Sequence, residues 1–300
     1  MTLLSATLAL AACGPPPVKP PPAAPVLDRP GAAIPGDLDV AIRIDVLAAK
    51  RFLGPAAGKA LAIDVVDPVH DADVAKFFAA SIDAADVIWV ALRPGRAPAL
   101  TDEVVLLRGR FGDLDPPRGG QLGFGPAIDL GGALRLYERP RPERRSAPAR
   151  IYARSDDWLV FVSEAEVDAV ERSLERRAGD AHVDPPDQGI ASFSARVPAI
   201  VPYFAPEYPL VAEALEAGTR IEGTVDADER GLRFSVGVTY SSDTDAKAAK
   251  EHLEPLVARL RDADGVLGAL SKSASLEAVG PSLSLRMALD ASALDAALRQ

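Results

Sequence analysis

The 300-residue chain contains one cysteine, Cys13, and three histidines, His70, His182 and His252. A single thiol excludes an internal disulfide and any cysteine-rich metal site. The histidines are far apart and show no ligand spacing, so no metal motif is expected. No cofactor motif is present either. The Gly-rich stretch Gly119-Gly120-Gln121-Leu122-Gly123-Phe124-Gly125 lacks the Lys-Ser/Thr of a phosphate loop and meets Pro126 where a helix should begin. No Gly-x-Ser-x-Gly elbow occurs. The body has no apolar run of the roughly 20 residues that a membrane-spanning helix needs. Net charge is −10, which repels phosphate and excludes a general nucleic-acid role.

What is present is a core-forming composition, 48% hydrophobic and 25% charged, sufficient for one large or two ordinary domains. At the N-terminus, Leu3 to Ala12 form a short apolar stretch with the length of a signal-peptide hydrophobic region. No Lys or Arg precedes it. It ends in Leu10-Ala11-Ala12-Cys13, an aliphatic residue and two small ones before the only cysteine. This resembles the lipobox of bacterial lipoproteins. The resemblance covers the first fourteen residues and implies removal of residues 1–12 and acylation of Cys13. By likeness to enteric sorting, Gly14 in place of Asp implies the periplasmic face of the outer membrane. Residues 13–36 carry nine prolines, which cannot donate to a helix or sheet. They predict an extended tether, at ~3.1 Å per residue where it is polyproline II.

From Asp37 the pattern changes to that of an α+β body. Leu38, Val40, Ile42, Ile44 and Val46 alternate with polar or small residues, as in a half-buried strand. A helix over 47–62 and another carrying Phe77, Phe78 and Ile82 are expected next. Strands follow at 87–92, 103–111 and 133–138, with a Gly/Pro-rich loop over 113–132. A hairpin over 151–162 turns at Asp156-Asp157. Ser163 and Glu166 have capping-box spacing for the helix carrying Val167, Val170 and Leu174.

Pro185-Pro186 mark a boundary between a first unit, 37–180, and a second, 189–300. The second holds a strand at 191–197, a helix at 208–217, and a hairpin of 220–225 with 232–240. A long helix to Asp262 is capped by Ser242 or Asp243. A hairpin over 273–289 and a short helix from Asp290 complete it. The two units share a plan, which predicts a duplication: antiparallel sheets with helices packed on one face. The layout has a general likeness to uncharacterised secreted bacterial proteins.

Two surfaces stand out as candidate partner sites. Arg135, Arg139, Arg141, Arg144, Arg145, Arg150 and Arg154 crowd one segment of an acidic chain. Guanidinium forks suit carboxylate or phosphate, hence an envelope protein or anionic glycolipid; the plain alternative is a solvated loop. Tyr203, Phe204 and Tyr208 are dense for a chain with 5% aromatics. Exposed, they would anchor a partner; packed inward, they would only fill a core. The acidic group of Asp64, Asp67, Asp71 and Asp73 with His70 lacks the Gly and terminal Glu of a calcium loop. It reads as a polar loop with a helix cap. The expected function is therefore a non-enzymatic, membrane-anchored binding or scaffold protein. A carrier with an apolar cavity, and an enzyme whose site is assembled from distant residues, remain as alternatives.

Overall fold

The computed structural model describes residues 33–53, 72–95, 101–112, 114, 116, 123–131, 133–139, 148–154, 156–175, 187–263 and 265–293. Twelve strands form one antiparallel sheet. In chain order they are β1 (Val40–Asp45), β2 (Ala85–Arg93), β3 (Asp102–Gly109), β4 (Ile128–Gly131), β5 (Leu134–Glu138), β6 (Pro148–Arg154), β7 (Trp158–Ser163), β8 (Ala191–Arg196), β9 (Gly218–Asp228), β10 (Gly231–Tyr240), β11 (Ser275–Val279) and β12 (Ser282–Asp290). Their order across the sheet is β11-β12-β10-β9-β8-β1-β2-β3-β7-β6-β5-β4. The helices are α1 (Val46–Leu53), α2 (Ala72–Asp83), α3 (Val167–Glu175), α4 (Val197–Phe204), α5 (Pro209–Leu215), α6 (Asp243–Arg261) and α7 (Gly265–Lys272).

The sheet is one rather than two because β1 pairs with β8 across the boundary between the sequence units. Val40 faces Ala195 and Ile44 faces Ala191, so Ile42 and Phe193 meet at the midpoint. Read outward from this seam, one half runs β1-β2-β3-β7-β6 and the other β8-β9-β10-β12-β11. Each opens with a strand that passes directly into a helix, at Val46 and at Val197, both buried. Outward from the seam the two halves follow the same strand order, with β5 and β4 added to the first.

Strand alternation sorts the residues by face. One face carries helices in both halves. In the first half, Phe77, Phe78 and Ile82 of α2 pack on Ile88, Val90, Val105 and Phe161. Phe78 and Phe161 lie 4.4 Å apart. In the second half, Val197, Leu215, Ala246 and Ala249 pack on Val238, Tyr240 and Leu283. Among the described residues the opposite face is covered only in the first half, where Val167, Val170 and Leu174 of α3 meet Val104, Leu106, Tyr152 and Val160. In the second half it presents Glu222, Thr224, Ser235 and Arg286, and joins none of the three apolar clusters.

Local details differ from expectation. Ala33, Ile34 and Leu38 are buried against the α3 side, so the body takes in residues expected to belong to the tether. The first helix is described to Leu53, and 54–71 lie outside the described residues. The expected loop 113–132 contains the edge strand β4. Ser163 does not cap its helix. Its hydroxyl accepts the Glu103 N–H at 3.0 Å, while buried Glu166 takes the Arg93 Nε–H at 3.0 Å. The capping box is replaced by links to β2 and β3. Ser242 does cap α6, accepting the Asp245 N–H.

Candidate functional site: an exposed aromatic hairpin tip

The α4–α5 hairpin grows from the seam. Arg196 stands at the N-cap of α4, with its guanidinium on Asp39 and on the Gly36 carbonyl. Val197 anchors the first turn in the core, and Ala212, Ala214 and Leu215 anchor the returning helix. The Tyr240 hydroxyl, buried, donates to the Ala214 carbonyl at 2.9 Å. Pro202 and Pro209 bracket the turn between the two helices. A short hairpin held at its base leaves its tip outside the core.

The tip is apolar and outward. Tyr203 is 41% exposed, Tyr208 56% and Leu210 44%. Tyr203 and Tyr208 therefore do not fill the core, the plain alternative for these residues. The Phe204 side chain lies outside the described ones. Glu207 and Glu213 stand beside the tip, both exposed, so its surroundings are acidic. A pair of tyrosines with exposed rings offers large, stiff contact area at small entropic cost, and each hydroxyl remains free to take a hydrogen bond at a partner's rim.

Two arginines of the cationic segment, Arg139 and Arg150, are engaged within the fold. Arg139 is only 5% exposed, with its guanidinium over the Phe124 ring at 5.7 Å. That corrects its assignment as a surface anion site: the cation is held by an aromatic face at the end of β5. Arg150 is also committed. It pairs with Glu138 at 3.0 Å and with Glu171 of α3, whose carboxylate also accepts the Tyr152 hydroxyl at 3.1 Å. Burial pushes the Tyr152 phenol up to about 12. This network fastens α3 to β6. Arg141, Arg144 and Arg145 lie outside the described residues, as do Cys13, His70 and His182. His252 is exposed on α6. Among the described residues no three His, Cys, Asp or Glu side chains are placed to hold a metal ion, and no helix is long and apolar enough to cross a membrane.

No sequence pattern marks Arg43, Arg93 and Arg196 as structural clamps. Arg43 is buried and reaches Asp187 at 2.9 Å and the Gly189 carbonyl at 3.2 Å. Arg93 bridges Glu166 and Asp37. Each contact joins residues distant in sequence, and no local pattern announces it.

Fold and tip together define an α+β protein built as one open antiparallel sheet with helices around it. No protein-family model matches the chain, and no curated protein matches it. Solved structures do. Crystal form I of TP0453 superposes with a TM-score of 0.51 at 12% identity, covering 90% of this chain and 96% of that one. Crystal form IV of the same protein gives 0.46 at 8% identity, covering 89% and 95%. At such identity the likeness is one of fold.

Proposed function

We propose that this chain is a lipoprotein of a bacterial envelope, held to the outer membrane by acyl chains on Cys13, whose body binds or scaffolds another envelope component. The observation that carries the reading is the sole thiol at the end of a ten-residue apolar leader, followed by a proline-rich spacer. Two or three acyl chains, at ~0.8 kcal/mol per buried CH₂, hold firmly where one would not.

The tyrosine tip supports a binding role for the body. Exposed rings on a hairpin rooted in the core are pre-organised for contact, and they need no reactive group beside them. Mass spectrometry of the mature N-terminus tests the anchor. A diacylglycerol adduct on Cys13 is expected, and Cys13→Ser is expected to move the protein from the membrane to the soluble fraction. An intact leader on a cytosolic protein overturns the proposal. Cross-linking in cells tests the tip: Tyr203→Ala with Tyr208→Ala is expected to lose the major adduct while leaving the melting temperature unchanged. Equal adduct yield removes the tip from the interface.

A further inference from the structure

A half-open groove of about 680 Å3 lies where the β9–β10 turn, the end of β12 and the last turn of α7 meet. Leu232, Leu289 and Ala269 form its apolar floor, and Arg230, Arg233 and Lys272 stand around it. The groove lies at the outer end of the second half, apart from the tyrosine tip.

The charges around it are not equivalent. Asp228 accepts the Arg230 backbone N–H at 2.9 Å and the Arg233 guanidinium, and these hold its carboxyl below the usual carboxylate range. Asp290 accepts the Ser292 hydroxyl at 2.6 Å and the Ala293 N–H at 2.8 Å, with the same result. Both acids are therefore satisfied within the chain, and Arg233 is spent on one of them. The Arg230 guanidinium and the Lys272 ammonium make no hydrogen bond or ion pair among the described residues. The Arg230 guanidinium contributes to the field that holds Asp228 ionised but is not bonded to it, so two cations without a hydrogen-bonded acid among the described residues flank an apolar floor on a protein of net charge −10.

We propose that this groove binds a small amphiphilic anion, a carboxylate or phosphate monoester carrying a short alkyl chain. The Arg230 fork matches either head with two parallel N–H bonds, and Lys272 adds a point charge. The alkyl part covers Leu232, Leu289 and Ala269. The volume falls within the range of small-ligand sites, about 300–1,000 Å3. Neither cation alone nor the floor alone selects this class; the combination excludes neutral amphiphiles and bare inorganic anions.

The test titrates the full chain, made with Cys13→Ser so that no detergent competes, with octyl phosphate, octanoate, octanol and inorganic phosphate. Saturable 1:1 binding of octyl phosphate and octanoate is expected, about ten-fold or more tighter than either control. Arg230→Gln with Lys272→Gln is expected to remove that advantage at an unchanged melting temperature, since both side chains are exposed. Ala269→Trp is expected to block the alkyl part. Vesicles containing phosphatidic acid, the membrane lipid with a phosphate monoester head, separate the sources: displacement of octyl phosphate assigns the head to a membrane lipid, and no displacement assigns it to a soluble metabolite. Octanol binding as tightly as octyl phosphate overturns the proposal. So does inorganic phosphate binding as tightly, or a charge-neutralised variant that binds undiminished.

Discussion

Gly231 follows the two-residue turn between β9 and β10 with φ of +128°. A Cβ there would fall 2.0 Å from the Leu289 carbonyl oxygen, a backbone atom that cannot swing aside. Gly231→Ala is expected to cost about 2 kcal/mol or more, through both the backbone conformation and the forced separation of β10 from β12. Urea unfolding measures it as a lowered midpoint. Two phenols give a pH signature. Burial raises Tyr152 and Tyr240 from 10.0 to about 12 in the folded chain. The folded state then keeps protons that the unfolded chain releases, so their contribution is complete below pH 10 and disappears as pH rises toward 12. Alkaline unfolding followed by circular dichroism should show this decline, and Tyr152→Phe with Tyr240→Phe should flatten it. Single residues are also where the sequence is least legible. Arg139 sits in a cationic run, yet its partner is the ring of Phe124, brought near by tertiary structure. Ser163 and Glu166 have capping spacing, but stronger partners on neighbouring strands claim both.

Elements were more legible than residues. Leu232, Phe234, Val236, Val238 and Tyr240 alternate without a break, and β10 spans them. Ser242 is followed by an apolar stripe of helical period, and α6 begins there. Period is a local property, so it survives whatever the rest of the chain does. α4 escaped notice because Val197, Pro198 and Pro202 resemble a strand end and loop. Yet Pro198 falls within the first helical turn, where its missing N–H costs nothing. Removing the α6 cap by Ser242→Ala is expected to destabilise by about 1 kcal/mol, read by thermal or urea unfolding. Val170 of α3 is fully buried against β7 and β3. Val170→Asp places an unpaired carboxylate there and should detach α3, with a loss of about 3 kcal/mol or more and new proteolytic cleavage near residue 170.

At the scale of the molecule, the repeated plan was visible as matching element order, but the joining of the halves was not. Which strands become neighbours depends on contacts between residues about 150 apart, as Val40 with Ala195. No sequence period reports that. The seam predicts how the halves behave when separated. Residues 33–175 and 187–293 each expose an unpaired central strand, β1 or β8, with its apolar side chains. Made apart, they are expected to self-associate; made together, to co-purify as a 1:1 complex. Two folded monomers with no mutual affinity would show that the β1–β8 ladder contributes little.

The chain enters its body at Ala33 and passes within seven residues into β1, the strand at the seam, with Arg93 and Arg196 gripping the entry at Asp37, Asp39 and Gly36. Any tension drawn through the N-terminus is therefore delivered along β1, parallel to two flanking ladders of hydrogen bonds. Such a load must shear many bonds at once rather than peel them singly. A body pulled from its N-terminal end would yield last at the centre of its sheet.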